Sequence, residues 1–158
     1  MPYTGTPVTV PGKIEAENYD NGGEGVAYHD TTAGNSGNVY RYNGVDIQKT
    51  ADTGGGYNVA WIKAGEWLKY TVNVTKAGSY AIDVRAASQG NGGTFHLEVD
   101  GVNVTGALNI PNTGAWQKWT TITKTGVTLV AGQHVVRVVM DANGAGGSVG
   151  NINWIAVR

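Results

Sequence analysis

Two carboxylates stand close together near the start of the chain, Glu15 and Glu17 in the run Ile14-Glu15-Ala16-Glu17. A carboxylate pair can serve as the acid and nucleophile of a glycoside-cleaving enzyme, which needs a separation of about 5–5.5 Å for retention and more for inversion. Alternation reads Ile14 to Glu17 as a short strand with both glutamates on one face, which sets them roughly 6.5–7 Å apart at the backbone. The distance alone does not exclude catalysis. However, two carboxylates on one short strand converge on a point rather than flank a bond. Calcium, which takes 6–8 oxygen ligands, suits such convergence; a solvated acidic pair is the third reading. Other nucleophilic or metal signatures are missing. His29, His96 and His134 show no HxH or HExxH spacing, and Ser36, Ser79, Ser88 and Ser148 lack the turn that displays a nucleophile. Neither Gly54-Gly55-Gly56 nor the glycines from Gly144 to Gly147 lead into the Lys-Ser/Thr of a phosphate loop.

The five tryptophans offer a different chemistry. Aromatic faces outside a core stack on the C–H bonds of a pyranose while neighbouring polar groups take its hydroxyls. The stretch Asp52 to Tyr70, DTGGGYNVAWIKAGEWLKY, carries two of them. From Glu66 onward the pattern alternates: Leu68, Tyr70, Val72 and Val74 point one way, and Trp67, Lys69, Thr71 and Asn73 the other. If the apolar set faces the core, Trp67 is on the polar face, either as a platform or as a cover for apolar surface. Trp61 follows three glycines, and Trp116 follows the loop Thr113-Gly114-Ala115, where burial is less natural. Trp119 and Trp154 open or sit within apolar strands and read as core. Asn151 follows a glycine-rich loop; its plain reading is a turn residue bonding local backbone.

The elements that must hold these residues are strands. Ser79 to Ala87 alternates with Tyr80, Ile82 and Val84 inward, and Thr94 to Val99 with Phe95, Leu97 and Val99 inward and Glu98 outward. Asp100-Gly101 is a strong hairpin signal. Asn43-Gly44 suggests a short strand pair within Val39 to Ile47. Further strands are expected at Val102 to Ile110, Trp119 to Thr123, Val127 to Val130, His134 to Met140 and Ile152 to Arg158. Residues 1–12 read as a linker or short first strand, with one domain over 13–158. About ten short strands with regular turns, and no sustained helical period, predict an all-β chain, a β-sandwich or jelly roll.

Composition narrows the function classes. The 158 residues include 25 glycines and no cysteine, with a net charge of −1. That balance gives no electrostatic footprint for nucleic acid and no basic face for a membrane. No apolar run approaches the ~20 residues of a spanning helix. Without cysteine there is no disulfide framework and no thiolate site. Met1 running straight into a Thr/Pro/Gly stretch reads as a start placed on an excised piece.

Five motifs in this order, IEAENY, DTGGGYNVAWIKAGEWLKYTVNV, GSYAIDVRAAS, GAWQKW and NINWIAV, resemble the family 6 carbohydrate-binding modules from about Lys13 to Arg158. The resemblance implies a β-jelly roll, no catalysis, a secreted extracellular setting and a parent glycoside hydrolase module in the same chain. It also implies a polysaccharide ligand, with β-1,3-glucan or agar-type galactan favoured by the long segment GVAYHDTTAGNSGNVYRYNGVDI and xylan or other β-glucan behind. In a main cleft at the sandwich edge, Trp61 and Trp116 would sandwich a sugar ring, and Asn151 and Gln48 would bond its hydroxyls, with Tyr40 and Asp46 at the border. Gln48 stands where relatives commonly have glutamate, so one amide replaces a strong charge-assisted acceptor. A second site on a sheet face would use Trp67 and Glu98. A structural Ca2+ would take Glu15, Glu17 and Asn153, with carbonyls from the Val39–Arg41 region. A monomer is expected. The remaining alternatives are a lectin-like adhesive domain and a small jelly-roll glycosidase.

Overall fold

The computed structural model describes every residue, Met1–Arg158. Its strands are β1 (Val8–Val10), β2 (Gly12–Glu15), β3 (Tyr28–His29), β4 (Ile47–Lys49), β5 (Tyr57–Val59), β6 (Trp67–Val74), β7 (Gly78–Ala87), β8 (Thr94–Val99), β9 (Val102–Asn103), β10 (Leu108–Asn109), β11 (Thr120–Leu129), β12 (Gly132–Ala142) and β13 (Asn151–Val157), with a single 3-10 turn at Ala16–Asn18. They form two sheets in a jelly-roll sandwich. One runs β1-β6-β12-β8-β10, with β3 beside β6 and β9 beside β8; the other runs β11-β7-β13-β5-β4, with β2 beside β13.

Alternation builds both inner faces. Leu68, Tyr70, Val72 and Val74 of β6 are buried, as are Phe95 and Leu97 of β8, Val136 and Val138 of β12, and Ile82 and Val84 of β7. These meet Ile14, Ile155 and Val157 in one core. Thr71 lies on the outward register of β6 but is also buried, because Asp20 covers it and accepts from both its N–H (2.8 Å) and its hydroxyl (2.5 Å). The Asp100-Gly101 hairpin forms as expected. Both residues have positive φ (50° and 83°), and Glu98 and Val99 pair with Asn103 and Val102. This is the turn geometry that matches strand twist.

Of the two readings of residues 1–12, the short first strand holds: Val8–Val10 pairs in parallel with Val72–Val74, and Val10 is buried. Several expectations are corrected. The chain leaves β2 at Glu15, so Glu17 sits in the 3-10 turn rather than on a shared strand face. No strand pair forms around Asn43-Gly44; only β4 is extended, and it pairs with β5. Val102 to Ile110 yields two short pieces, whereas the two strands expected between Trp119 and Val130 are one, bulged between Lys124 and Val127. Trp119 and Trp154 are half-buried and outside the core. In β13 a bulge between Ile152 and Trp154 shifts the alternation by one residue. Ile155 and Val157 therefore join Ile152 inside, and Trp154 turns outward beside Arg85 and Glu15.

One ion pair ties the β8–β9 hairpin to β12. His134 Nδ1 lies 2.6 Å from Asp100 Oδ2, and its Nε2 lies 2.9 Å from the Val130 carbonyl. Both ring nitrogens face acceptors, led by the Asp100 carboxylate, and this raises the His134 pKa above its ordinary value. The folded state thus holds the imidazolium proton more tightly than the unfolded chain. The pair's contribution is complete below the unfolded histidine value of about 6.5 and is lost as pH rises through the folded one. In the His134→Gln variant, urea-denaturation midpoints compared between pH 5.5 and 8.5 should lose this component of the decline.

Candidate functional site

Loops from distant parts of the chain meet at one end of the sandwich and enclose a cleft of about 250 Å³. Its lining is Gln48 from β4, Ala60, Trp61 and Lys63 after β5, Trp116 before β11, Gly146 and Ser148 between β12 and β13, and Asn151 at the start of β13. Gln48, Trp61, Trp116 and Asn151, four separated positions, are brought together as the sequence reading expects.

Trp61 is displayed under constraint. The Ala60 N–H donates to the Asp46 carbonyl (2.9 Å), and the Ile62 carbonyl accepts from the Val149 N–H (2.8 Å). Ile62 is in the core. With both neighbours held, Trp61 adopts φ 50° and keeps 46% of its surface exposed. A left-handed backbone at a bulky residue costs of order 1–3 kcal/mol and persists where the surroundings enforce it.

Trp116 is fixed through its backbone and its neighbour. Asn151, itself buried, donates Nδ2 to the Trp116 carbonyl (2.7 Å), which leaves Oδ1 as the acceptor available to a ligand. Gln117 donates to Asn58 Oδ1 (3.1 Å) and accepts from the Ala51 N–H (2.8 Å), anchoring the loop against β5. A Cβ at Gly146 would stand 3.3 Å from the Trp116 indole, so glycine lets the β12–β13 loop lie against the ring.

Sequence reading missed Lys63, Ser148 and Gly146. Lys63 donates Nζ to the Gly147 carbonyl (2.6 Å) across the cleft rim. In the sequence it stands in the short stretch Lys63-Ala64-Gly65 between two tryptophans, and which loop it meets depends on the tertiary fold. Conversely, Tyr40 and Asp46 do not line the cleft. Asp46 is buried and accepts from the Ser36 N–H (2.6 Å), pinning a loop. Tyr40 stacks on Tyr57 at 4.6 Å between centroids and donates to Asn18 Oδ1 (2.6 Å). No aspartate or glutamate lines the cleft. Its chemistry is two indole faces, two primary amides, a hydroxyl and one ammonium, which suits stacking and hydrogen bonding to an uncharged polyol.

Trp67 and Glu98 share the outer face of the seven-stranded sheet. Arg137 links them: its Nε donates to Glu98 Oε2 (2.5 Å), and its guanidinium lies 5.6 Å from the Trp67 centroid. Lys69 Nζ is 5.0 Å from the same ring. The Arg137 guanidinium holds the Glu98 carboxyl below its usual range. Glu98 is thus already committed to an ion pair, and two cations attend the indole.

Around the 3-10 turn, Glu17 is 5% exposed, and its Oε2 has no hydrogen-bond partner. Burial pushes its pKa up to about 7; its own and the Tyr57 backbone amides oppose this, and Glu15 adds to the rise. A buried carboxylate oxygen without a partner is costly, and a bound cation would remove that cost. Asn153 donates Nδ2 to Asp52 Oδ2 (2.9 Å), and Asp52 is held in turn by both Nε and Nη2 of Arg85 (2.9 Å each). This orients the Asn153 amide and leaves its Oδ1 as an oxygen ligand. The Arg41 carbonyl accepts from Asn35 Nδ2 (2.9 Å) and retains a second lone pair, whereas the Val39 carbonyl already accepts from both Asn35 Nδ2 (2.9 Å) and the Arg41 N–H (2.8 Å). Glu15 lies 2.5 Å from Lys13 at the surface. The all-oxygen set fits a hard divalent cation.

The alpha subunit of clotting factor G from Tachypleus tridentatus is 36% identical over 115 residues, 72% of this chain. This chain spans only 16% of the length of the curated relatives it matches. Among solved structures, a β-1,3-glucan-binding family 6 module from Bacillus halodurans superimposes with a TM-score of 0.73 at 29% identity, covering 97% of this chain and 99% of that one. A family 6 module of lichenase 5A from Cellvibrio mixtus, solved with cellotriose, has a TM-score of 0.68 at 37% identity, covering 94% and 97%. The family model described as carbohydrate binding module (family 6) matches residues 38–158, most of the sheet framework and every wall of the cleft. The chain belongs to the carbohydrate-binding modules of family 6.

Proposed function

We propose that the loop cleft binds a β-1,3-glucan chain without cleaving it, and that the module holds an attached polysaccharide-degrading enzyme at its substrate outside the cell. The observation that carries the reading is Trp61, forced outward on a left-handed backbone to face the same cleft as Trp116. A sugar ring would lie between the two indoles. Asn151 Oδ1 and the Gln48 amide would meet its hydroxyls. Tethering raises the local concentration of substrate around the enzyme rather than lowering a barrier. The likeness to the glucan-binding module from Bacillus halodurans supports the choice of ligand. Agar-type galactan is the competing chain and belongs in the same test.

Calorimetry and affinity electrophoresis against laminarin, mixed-linkage glucan, xylan, agarose and soluble cellulose should show laminarin bound most tightly. Trp61→Ala and Trp116→Ala should each lose at least about 2 kcal/mol of binding, the scale of a buried aromatic anchor. Trp61→Ala retains a Cβ, so the backbone strain is unchanged and melting should shift little. Full affinity in both variants, with loss in Trp67→Ala, would transfer the function to the sheet face.

We infer in addition that Glu15, Glu17, Asn153 Oδ1 and carbonyls of the Val39–Arg41 region hold a structural calcium ion. The bound ion would supply positive charge beside the unpartnered oxygen of Glu17. At a concentration 100 times its Kd, such an ion stabilises the folded state by about 2.7 kcal/mol. Calcium should therefore raise the thermal midpoint of the native chain, and a chelator should lower it. Glu17→Gln should abolish that difference while glucan affinity, measured well below the midpoint, stays the same. A calcium-independent midpoint in the native chain would remove the ion from the account.

A further inference from the structure

Tyr42 has 90% of its surface exposed, yet the chain on either side of it is fixed. Arg41 is buried. Its guanidinium donates to the carbonyls of Glu17 (3.3 Å), Tyr19 and Asp20 (3.4 Å) and to Asn21 Oδ1 (3.1 Å), and it lies 3.6 Å from the Tyr19 ring centroid. On the other side, Asn43 Oδ1 accepts from the Tyr19 hydroxyl, and the Gly44 N–H donates to the Tyr28 hydroxyl oxygen (3.0 Å). Asn35 closes the loop from within. Its Oδ1 accepts from the N–H groups of Gly37 (3.0 Å), Asn38 (3.1 Å) and Ile47 (3.0 Å), while its Nδ2 reaches the Val39 and Arg41 carbonyls. The loop is thus anchored inward at Asn35, Arg41 and Asn43, while the Tyr42 ring is turned to solvent. The ordering cost that a flexible loop would incur on binding has been met on folding.

The ring borders a shallow depression of about 430 Å³, lined by Gly34, Asn35, Asn38, Tyr42, Asn43 and Gly44 with no charged group. Three polar groups there have no protein partner: the Asn38 amide, Asn43 Nδ2 and the Tyr42 hydroxyl. One aromatic face ringed by neutral amides offers little of the contiguous apolar surface that marks many protein-docking sites. It does suit a pyranose, whose C–H face stacks while its hydroxyls take amide donors and acceptors.

We infer that Tyr42, with Asn38 and Asn43, forms a second carbohydrate contact separate from the tryptophan cleft, taking a neutral sugar ring further along the same polysaccharide chain. The inference rests on the reading that the module binds a polysaccharide. Proximity supports it: Asn35 lines the depression and bonds the Ile47 N–H, and the next residue, Gln48, lines the cleft. A chain anchored in the cleft meets the depression at high effective concentration, so a contact too weak to act alone adds to the affinity for polymer.

The test compares the native chain with Tyr42→Ala, Trp61→Ala and the double variant. Affinities are measured for laminarin and agarose and for a trisaccharide of each, and backbone-amide NMR shifts are followed during titration. Tyr42→Ala, at an exposed position, should leave melting and trisaccharide affinity unchanged and weaken polymer binding by roughly threefold to tenfold. In Trp61→Ala, small shifts at Asn38, Tyr42 and Asn43 should persist with polymer and vanish in the double variant. Equal polymer affinity in Tyr42→Ala and the native chain, with no shifts at these amides, would overturn the second contact while leaving the cleft intact. Undiminished trisaccharide affinity in Trp61→Ala would overturn the cleft reading, with the loop shifts still judging Tyr42. Absence of binding by the native chain to both polymers would overturn both.

Discussion

A buried carboxylate holds the corner on which the cleft depends. Glu66 is 5% exposed at the turn into β6. Its Oε1 accepts from the N–H (3.1 Å) and hydroxyl (2.7 Å) of Thr31, and its Oε2 accepts from the Lys63 N–H (2.9 Å). An ionised group is expensive to bury unless hydrogen bonds replace its water. Here the replacement bonds come from two different loops, so satisfying one charge fixes both. The backbone completes the corner: the Gly65 N–H donates to the Met140 carbonyl and the Met140 N–H to the Glu66 carbonyl. Trp61, Ile62 and Lys63 hang from this corner, and the long loop that begins at Thr31 ends at β4, beside Gln48. Cleft shape is therefore set by charge burial at one end of the sandwich as much as by the sheets beneath.

What could be read in the sequence divides along a physical line. Alternation in β6, β7 and β8 was legible because one face of each strand meets a dry core and the other meets water. Trp61, Trp116, Gln48 and Asn151 were legible as a set only through the resemblance; no spacing rule places four separated residues around one volume. Lys63 and Ser148 could not be assigned, since they face the cleft only when two loops close on each other. Tyr40 and Asp46 were misplaced for a related reason. The segment from Asp30 to Asp46 covers the exposed edge of β4, and which of its polar groups turn inward is decided by the backbone N–H groups there that need acceptors. The parity break in β13 was in view: Ile152 and Ile155 cannot both face inward on a regular strand. Placing Trp154 in the core overlooked the bulge that such a break requires.

That bulge also divides the labour of two asparagines. Asn151 precedes it and holds the Trp116 carbonyl at the cleft; Asn153 lies within it and faces Asp52. Aspartate at 153 would set two carboxylates against each other where Asp52 is already committed to Arg85. Asparagine can instead donate to Asp52 and still offer an oxygen on its other side. On the proposed reading, a calcium ion near Glu17 and a sugar near Trp116 would thus share one strand through two different side chains. The ion would act on β13 as a staple between the 3-10 turn and the sheet, whereas the sugar would meet a tryptophan whose position depends on Asn151, Gln117 and Gly146. Metal and ligand are then linked through the stability of β13 rather than through any group they both touch. On that reading, removing the ion would lower stability without touching any group that contacts the sugar.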